Sequence, residues 1–406
     1  MESLRSNKGY RSGTHRVVAP EQTLQRVLPL TRSMGITRVA TITGLDVIGI
    51  PVVAVMRPNS RSIAVAQGKG LDLTAAKVSG LMESIENYHA ERVRLPLTLA
   101  SWREMRERGP TLAIERLPRV VGSSLHDGSR MLWLQAHEIF EGKSIAVPFE
   151  VVHADYTLPL PTCSGALMMS DSGVASGNHP LEATSHAICE LVERDALTLF
   201  RYLPTERQAE RRVILDSVED DASRSVLELY ARADVQVAVW DMTSDVGIPS
   251  FFCTILDRDS NHFRALGASS GSGGHPCREV ALLRALTEAA QSRLTVIAGS
   301  RDDVGLATYR RGQDRAVLAE AQKLLATGGE QRHFDDIPTH AADTLHEDVS
   351  WELGRLRSAG IEQVAVVDLS LPEFQIPVVR VVIPGLEGMH DAPGFTAGAR
   401  LRARLS

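Results

Sequence analysis

A mixed α/β fold assembled from repeated hairpin-and-helix modules is predicted for this chain, on three observations. First, three segments have helical periodicity, each follows a glycine-rich stretch, and each carries carboxylates or amides along one face. Ser79, Glu83 and Glu86 form one stripe, Glu182, Glu190 and Glu193 a second, and Arg284, Glu288 and Gln291 a third. At about 100° of rotation per residue, such spacings stay on one side of a helix. Second, a strand pattern recurs. Val237-Ala-Val-Trp-Asp241 leads to Ile248-Pro249, Val364-Ala-Val-Val-Asp368 leads to Ile376-Pro377, and Val39 to Asp46 leads more loosely to Ile50-Pro51. Third, an apolar content of 43%, a charged content of 23% and a mean hydropathy of -0.07 are those of an ordinary globular protein.

Each copy of the repeat reads as a strand, an acidic turn and a second strand. The proline falls at the start of the second strand, where no ladder donor is lost. Further strands are expected at 62–66, 131–139 and 145–152, the last two joined by a turn at Gly142-Lys143. Residues 316–326 have helical periodicity, Gly328-Gly329 interrupts it, and 349–358 resumes it. No Pro- or Ser-rich linker divides the chain, so one intertwined unit over 1–406 is expected, with 301–360 as its most peripheral, helical part.

Composition excludes several classes. A net charge of -6 gives no basic footprint for nucleic acid. The four cysteines, Cys163, Cys189, Cys253 and Cys277, are scattered without a Cys-x-x-Cys pair, which disfavours zinc clusters and a disulfide framework. The polar, basic start is not a secretory signal, and the longest apolar run, near residues 45–56, is too short for a bilayer. A cytoplasmic location is the expectation.

Glycine-rich turns are expected before each striped helix: Gln67-Gly68-Lys69-Gly70, Ser172-Gly173 through Gly177-Asn178, and Gly267 to Gly274 with His275-Pro276. Such turns let backbone donors approach an anion, and the following helix N-terminus favours negative charge. Neither the P-loop nor the Rossmann fingerprint is present. The acid pairs Glu83 with Glu86 and Glu190 with Glu193 place hard oxygens on adjoining turns, which suits Mg²⁺ shared with waters and phosphates. Arg194, Arg284 and Arg293 would neutralise phosphate charge. His186 and His275 are as well suited to structural hydrogen bonds as to a ligand.

Taken together, Gly68-Lys-Gly70 with Ser79-x-x-x-Glu83-x-x-Glu86, Gly177-Asn178-x-x-x-Glu182 with Glu190-x-x-Glu193-Arg194, and Glu288-x-x-Gln291-x-Arg293 resemble the three ATP-binding blocks of the YcaO superfamily. The resemblance runs over about 14–390. It implies a YcaO fold, a non-Walker ATP site and a homodimer. It also implies that Arg16, Thr23, Ser79, Asn178, Glu182, Arg194, Gln291 and Arg293 contact ATP, while Glu83, Glu86, Glu190 and Glu193 hold Mg²⁺. The family's implied chemistry is O-phosphorylation of a peptide backbone amide, for which no side-chain nucleophile is assigned. The segments from Tyr10 to Arg16, Pro20 to Leu24, and Met34 to Asp46 look like the subgroup encoded beside TfuA proteins, which implies thioamide formation with a TfuA partner and a sulfur donor. The chain ends Arg400-Leu-Arg-Ala-Arg-Leu-Ser406, without the Pro-x-Pro-x-Pro-like tail common among azoline-forming members. The alternatives are an azoline-forming cyclodehydratase acting on Cys, Ser or Thr, and a non-catalytic ATP-binding accessory protein in sulfur modification.

Overall fold

The three repeated segments each fold as an antiparallel hairpin in a computed structural model that describes residues 6–258, 266–312, 314–326 and 331–405. The expected helix break at Gly328-Gly329 lies outside the described residues, as do residues 1–5 and Ser406 of the two terminal segments read above. Strands β1 (Arg38–Thr41), β2 (Val52–Met56) and β3 (Val65–Lys69) form one sheet in that order. A six-stranded sheet contains β4 (Thr98–Ser101), β5 (Arg130–Glu138), β6 (Lys143–Pro148) and β7 (Val174–Ser176). A third sheet has β8 (Val235–Asp241), β9 (Ser250–Asp257) and β10 (Ser269–Gly274). The six-stranded sheet is completed late in the chain by β11 (Ala365–Asp368) and β12 (Val378–Val382), giving the order β4-β5-β11-β12-β7 with β6 on β5. All three hairpin prolines, Pro51, Pro249 and Pro377, sit immediately before the second strand.

Among the described residues there are eleven α-helices. They are α1 (Pro20–Val27), α2 (Leu73–Ala90), α3 (Trp102–Arg108), α4 (Pro180–Arg201), α5 (Thr205–Ala209), α6 (Asp221–Arg232), α7 (Arg278–Ala298), α8 (Leu306–Gly312), α9 (Arg315–Ala326), α10 (Leu345–Ser358) and α11 (Ala399–Leu405). The striped segments are α2, α4 and α7. Asp72 caps α2 by accepting from Ala75 N at 2.8 Å, and Pro180 opens α4 where its missing N–H costs nothing.

Each striped helix lies on a three-stranded unit: α2 on β1-β2-β3, α7 on β8-β9-β10, and α4 on β7 with β12 and β11. Two modules are continuous in sequence. The third is split, because β7 and α4 precede their hairpin by most of the C-terminal half. Strand alternation sets the layers: Phe251, Cys253 and Ile255 of β9 face a core shared with α7, whereas Phe252 and Leu256 face a second cluster with Phe200 and Trp240.

The glycine-rich stretches differ from expectation. Gly68 lies inside β3, and Gly271, Gly273 and Gly274 lie inside β10. Their function is close packing. A Cβ on Gly68 would stand 2.0 Å from Gly80 N and 2.1 Å from Ala76 O of α2, and one on Gly271 would stand 2.3 Å from Ala289 N of α7. The helix backbone therefore rests directly on the strand, which draws the polar face of each helix towards its neighbours. Peripheral placement also fails to describe all of 301–360: α10 packs on α4, and Leu356 and Glu352 are fully buried there.

Gly68→Ala should thus force β3 and α2 apart, at a cost of roughly 1–3 kcal/mol or more. Gly44→Ala, exposed with nothing near its Cβ position, should stay within about 0.5 kcal/mol of wild type. Urea unfolding of both variants gives the comparison, and equal midpoints would refute the packing argument.

Candidate functional site

The polar faces of α2, α4 and α7 meet around a cavity of about 490 Å³, a size typical of small-molecule sites. The helices correspond position by position. Glu86, Glu193 and Gln291 each lie thirteen residues beyond the first residue of their helix, and Glu83, Glu190 and Glu288 each lie ten beyond it. Every side chain of the first set reaches the strand of the next module. Glu86 accepts from Ser176 N at 2.8 Å and Ser176 Oγ at 2.6 Å on β7. Glu193 accepts from Gly274 N at 2.9 Å and from Ser272 Oγ on β10. Gln291 Nε2 donates to Gln67 O at 3.0 Å on β3, which closes the circle.

The second set of acids faces inward with unequal neutralisation. Lys69 Nζ donates to Glu288 at 2.6 Å; although burial opposes it, the Lys69 and Arg194 charges hold that carboxyl down at about 2. Burial pushes the Glu83 carboxyl up to about 7, despite the charges of Arg301 and Lys69. Burial likewise pushes Glu86 up to about 8, with Glu83 and Glu190 adding repulsion. Glu190 is raised by burial as well, against Arg194 and an N–H from Gly173 at 3.0 Å. His186 is held well below its usual range by burial and by Arg284, so it is neutral.

Of the expected contact residues, Arg16, Thr23, Ser79, Asn178, Glu182, Arg194 and Gln291 line the cavity, together with Glu83, Glu86, Glu190 and Glu193. Thr23 Oγ1 accepts from Asn178 Nδ2 at 3.0 Å, tying α1 to the start of α4. Glu182 is 3% exposed and accepts from Val17 N at 2.8 Å, which holds the Arg16 segment at the cavity edge. Arg293 is a different case. It is absent from the cavity lining, and its guanidinium is engaged by Asp46 at 2.9 Å and Asp257 at 2.9 Å. Two residues beyond Gln291 is about 200° around the helix, so the cavity-facing stripe cannot include it.

Sequence reasoning assigned no role to Lys69, Asp171, Glu288 and Arg301, all of which line the cavity. Glu288 stood on the third stripe and Lys69 between two glycines, so both were within reach of the pattern. Asp171 and Arg301 come from loops, which leave no periodic signal.

The residues present fit Mg²⁺ and a polyanion. Three acids carry raised carboxyl pKa values, which a divalent cation would relieve. Among the described residues, no three His, Cys, Asp or Glu side chains gather closely enough to cage a metal alone, as suits an ion completed by phosphate and water. Arg194 Nε, Arg284 Nε and Gln291 Oε1 are buried without protein partners, leaving donors and an acceptor for a ligand.

Such a site defines a metal–nucleotide protein outside the P-loop and Rossmann classes. A family model described as YcaO cyclodehydratase, ATP- and Mg²⁺-binding, matches residues 67–387, and the chain belongs to the YcaO family. An uncharacterized protein in the tfuA 3′ region of Rhizobium leguminosarum bv. trifolii is 38% identical over 94% of this chain and 91% of its own length. An uncharacterized protein of Methanothermobacter thermautotrophicus is 31% identical over 96% of this chain and 99% of its own. YcaO from Methanopyrus kandleri, solved with AMPPCP and Mg²⁺, superposes with a TM-score of 0.76 at 21% identity, covering 97% of this chain and 99% of that one. A heterocyclase solved with substrate and cofactor gives a TM-score of 0.79 at 21% identity; this chain is covered to 99% but spans only 56% of the heterocyclase. The family, its mixed α/β fold and its cofactors, ATP and Mg²⁺, agree with the expectation from the three sequence blocks. Among the described residues no helix is long and apolar enough to cross a membrane.

The raised carboxyls have a measurable consequence. Glu83 and Glu86 have an ordinary value of 4.5 and fold-state values of about 7 and 8. The stability they contribute is complete below their ordinary value and lost as pH rises through the folded values. In chelator, the wild-type melting temperature should fall between about pH 5 and about pH 8.5, and a Glu83→Gln, Glu86→Gln double variant should flatten that fall. Added Mg²⁺ should restore wild-type stability at the alkaline end, where the ligands are deprotonated. Superimposable pH profiles for the two proteins would contradict this electrostatic reading.

Proposed function

We propose that this protein uses ATP and Mg²⁺ to O-phosphorylate a backbone amide of a ribosomally made peptide or protein, and that the product is a thioamide. One observation carries the reading: acids from α2 and α4 converge on one cavity to which α7 brings the Arg284 guanidinium and unpaired hydrogen-bonding atoms of Arg284 and Gln291. The transfer breaks the bond between the γ-phosphorus and ADP and forms one to the amide oxygen. A sulfur nucleophile then adds to the amide carbon, and phosphate leaves with the original oxygen.

Glu83, Glu86, Glu190 and Glu193 would hold Mg²⁺, which supplies neutralisation of phosphate charge. Arg16, Thr23, Ser79, Asn178, Glu182, Arg194 and Gln291 would frame the nucleotide, with Glu182 placing Arg16 through Val17. Lys69 keeps Glu288 ionised and occupied, so that acid positions β3 against α7. Alignment and charge stabilisation are what phosphoryl transfer needs, and a covalent nucleophile is not. The choice of a thioamide rests on the TfuA-like N-terminal segments and on the relative from the tfuA 3′ region. On the same resemblance we propose a TfuA-type partner, a sulfur donor and a homodimer. Azoline formation is the second reading, favoured by the cyclodehydratase named in the matching family description.

Mass spectrometry of a candidate peptide treated with enzyme, ATP, sulfide and partner separates these products. A gain matching oxygen-to-sulfur exchange is expected, and loss of water would assign azoline chemistry instead. Glu83→Gln or Glu190→Gln should lower turnover by a factor on the order of 100 or more. ATP binding without any peptide-dependent turnover would overturn both readings in favour of an accessory role.

A further inference from the structure

One guanidinium departs from the way this chain treats buried charge. Arg57 is paired with Glu91 at 2.6 Å, Arg293 with Asp46 and Asp257, Arg400 with Asp195 at 2.9 Å, and Lys8 with Asp348 at 2.5 Å. Arg380, in the middle of β12, is only 5% exposed, yet its Nε and Nη1 are buried with no hydrogen-bond partner. An uncompensated buried charge is among the costliest features a fold can keep.

Its position relates it to the cavity. Arg380 pairs with Val174 of β7 in an antiparallel ladder, so the two side chains share one face of the sheet. On that face, Val174 lines the cavity, and so does Ser176, the donor to Glu86. The ionisable groups nearest to Arg380 in their effect are the Tyr156 phenol and the Asp171 and Glu190 carboxyls, and the last two also line the cavity. Arg380 is not itself among the residues lining the cavity; it stands beside Val174 at the acid-rich end, two ladder positions farther than Ser176 from Asn178 and the start of α4. None of these groups forms an ion pair with it.

We propose that Arg380 is an anion-binding residue on the acceptor side of the site, where it takes a tetrahedral phosphate oxyanion once that group has left the nucleotide. This rests on the phosphoryl-transfer reading above and adds to it where the product group is received. A forked guanidinium with free donors matches a phosphate oxyanion, and the low-dielectric wall strengthens the contact.

Inorganic phosphate is the probe, titrated by equilibrium dialysis into wild type and the variants Arg380→Met and Arg380→Lys, with and without Mg²⁺ and ADP. Arg380→Met should weaken phosphate binding at least about ten-fold, as expected for a lost charged hydrogen bond. Arg380→Lys should recover part of it, and ADP affinity should stay within about two-fold in both. Replacing an unpaired buried charge by an apolar side chain should also leave the melting temperature unchanged or raise it. Unchanged phosphate affinity in Arg380→Met would overturn the proposal, as would a wild type that binds ADP but no phosphate. A melting temperature lowered together with ADP affinity would assign Arg380 to structure and equally overturn it. Phosphate binding through Arg380 in a wild type that binds no Mg²⁺–ADP would overturn the proposed function and leave this subsite standing.

Discussion

Everything in this site depends on one closed circuit of buried hydrogen bonds, in which each long helix is fastened to the strand of the following module. Glu86 holds β7, Glu193 holds β10 and Gln291 holds β3. A buried polar group needs partners; a bond to an ionised carboxylate contributes about 1.5–3 kcal/mol and a neutral one, such as that of Gln291, about 0.5–1.5 kcal/mol. Because the circuit returns to its start, no module can shift without disturbing the other two. The cavity is the space the circuit encloses. Glu86 commits one oxygen to Ser176, so a bond that joins two modules also orients its other oxygen, and Glu190 is oriented likewise by Gly173 within its own module. Preorganisation of this sort is what a metal site requires of its surroundings.

Equivalence of position does not mean equivalence of charge. Ten and thirteen residues beyond their first residue, α2 and α4 both present glutamate, whereas α7 presents Glu288 and Gln291. Six residues beyond the first, the three carry Ser79, His186 and Arg284. Lys69 then cancels Glu288, while Glu83, Glu86 and Glu190 remain under-neutralised. One side of the cavity is balanced or cationic and the other is acidic. A polyanion accompanied by divalent ions suits that division better than either component alone.

The parts that were legible in sequence are those set by local periodicity. The three helices, their polar stripes and the three hairpins follow from the 3.6- and two-residue periods and from the placement of prolines. Glycine-rich strands were not legible, because glycine is depleted in strands and only contact with a helix backbone explains Gly68 and Gly271. Nor was the split module, since β7 meets β12 only after the rest of the chain has intervened. Arg293 entered through family resemblance although the helical period places it off the stripe. Its counterpart in α4, counting from the helix start, is Asp195, which is fully buried and bound to Arg400. Arg194, one position earlier, corresponds to Asn87 and Ser292, and all three line the cavity. A single step along the helix therefore separates side chains that line the cavity from side chains that lock the helix to the remainder of the protein.

The fourth wall of the cavity obeys a different logic. Tyr10, Thr14, Arg16 and Thr23 belong to no module and reach the site through a short arm and α1. That arm is held at one end by the buried pair of Lys8 with Asp348 on α10, and at the other by Val17 N on Glu182. Asp348 sits one turn before Glu352, which accepts from Ser185 of α4. Both anchors thus lead back to α4, the helix that carries Glu190 and Glu193. Placement of the Arg16 wall and placement of two of the acids are consequences of the same helix, so the cationic edge and the acidic floor hold a fixed relation even though they lie far apart in sequence.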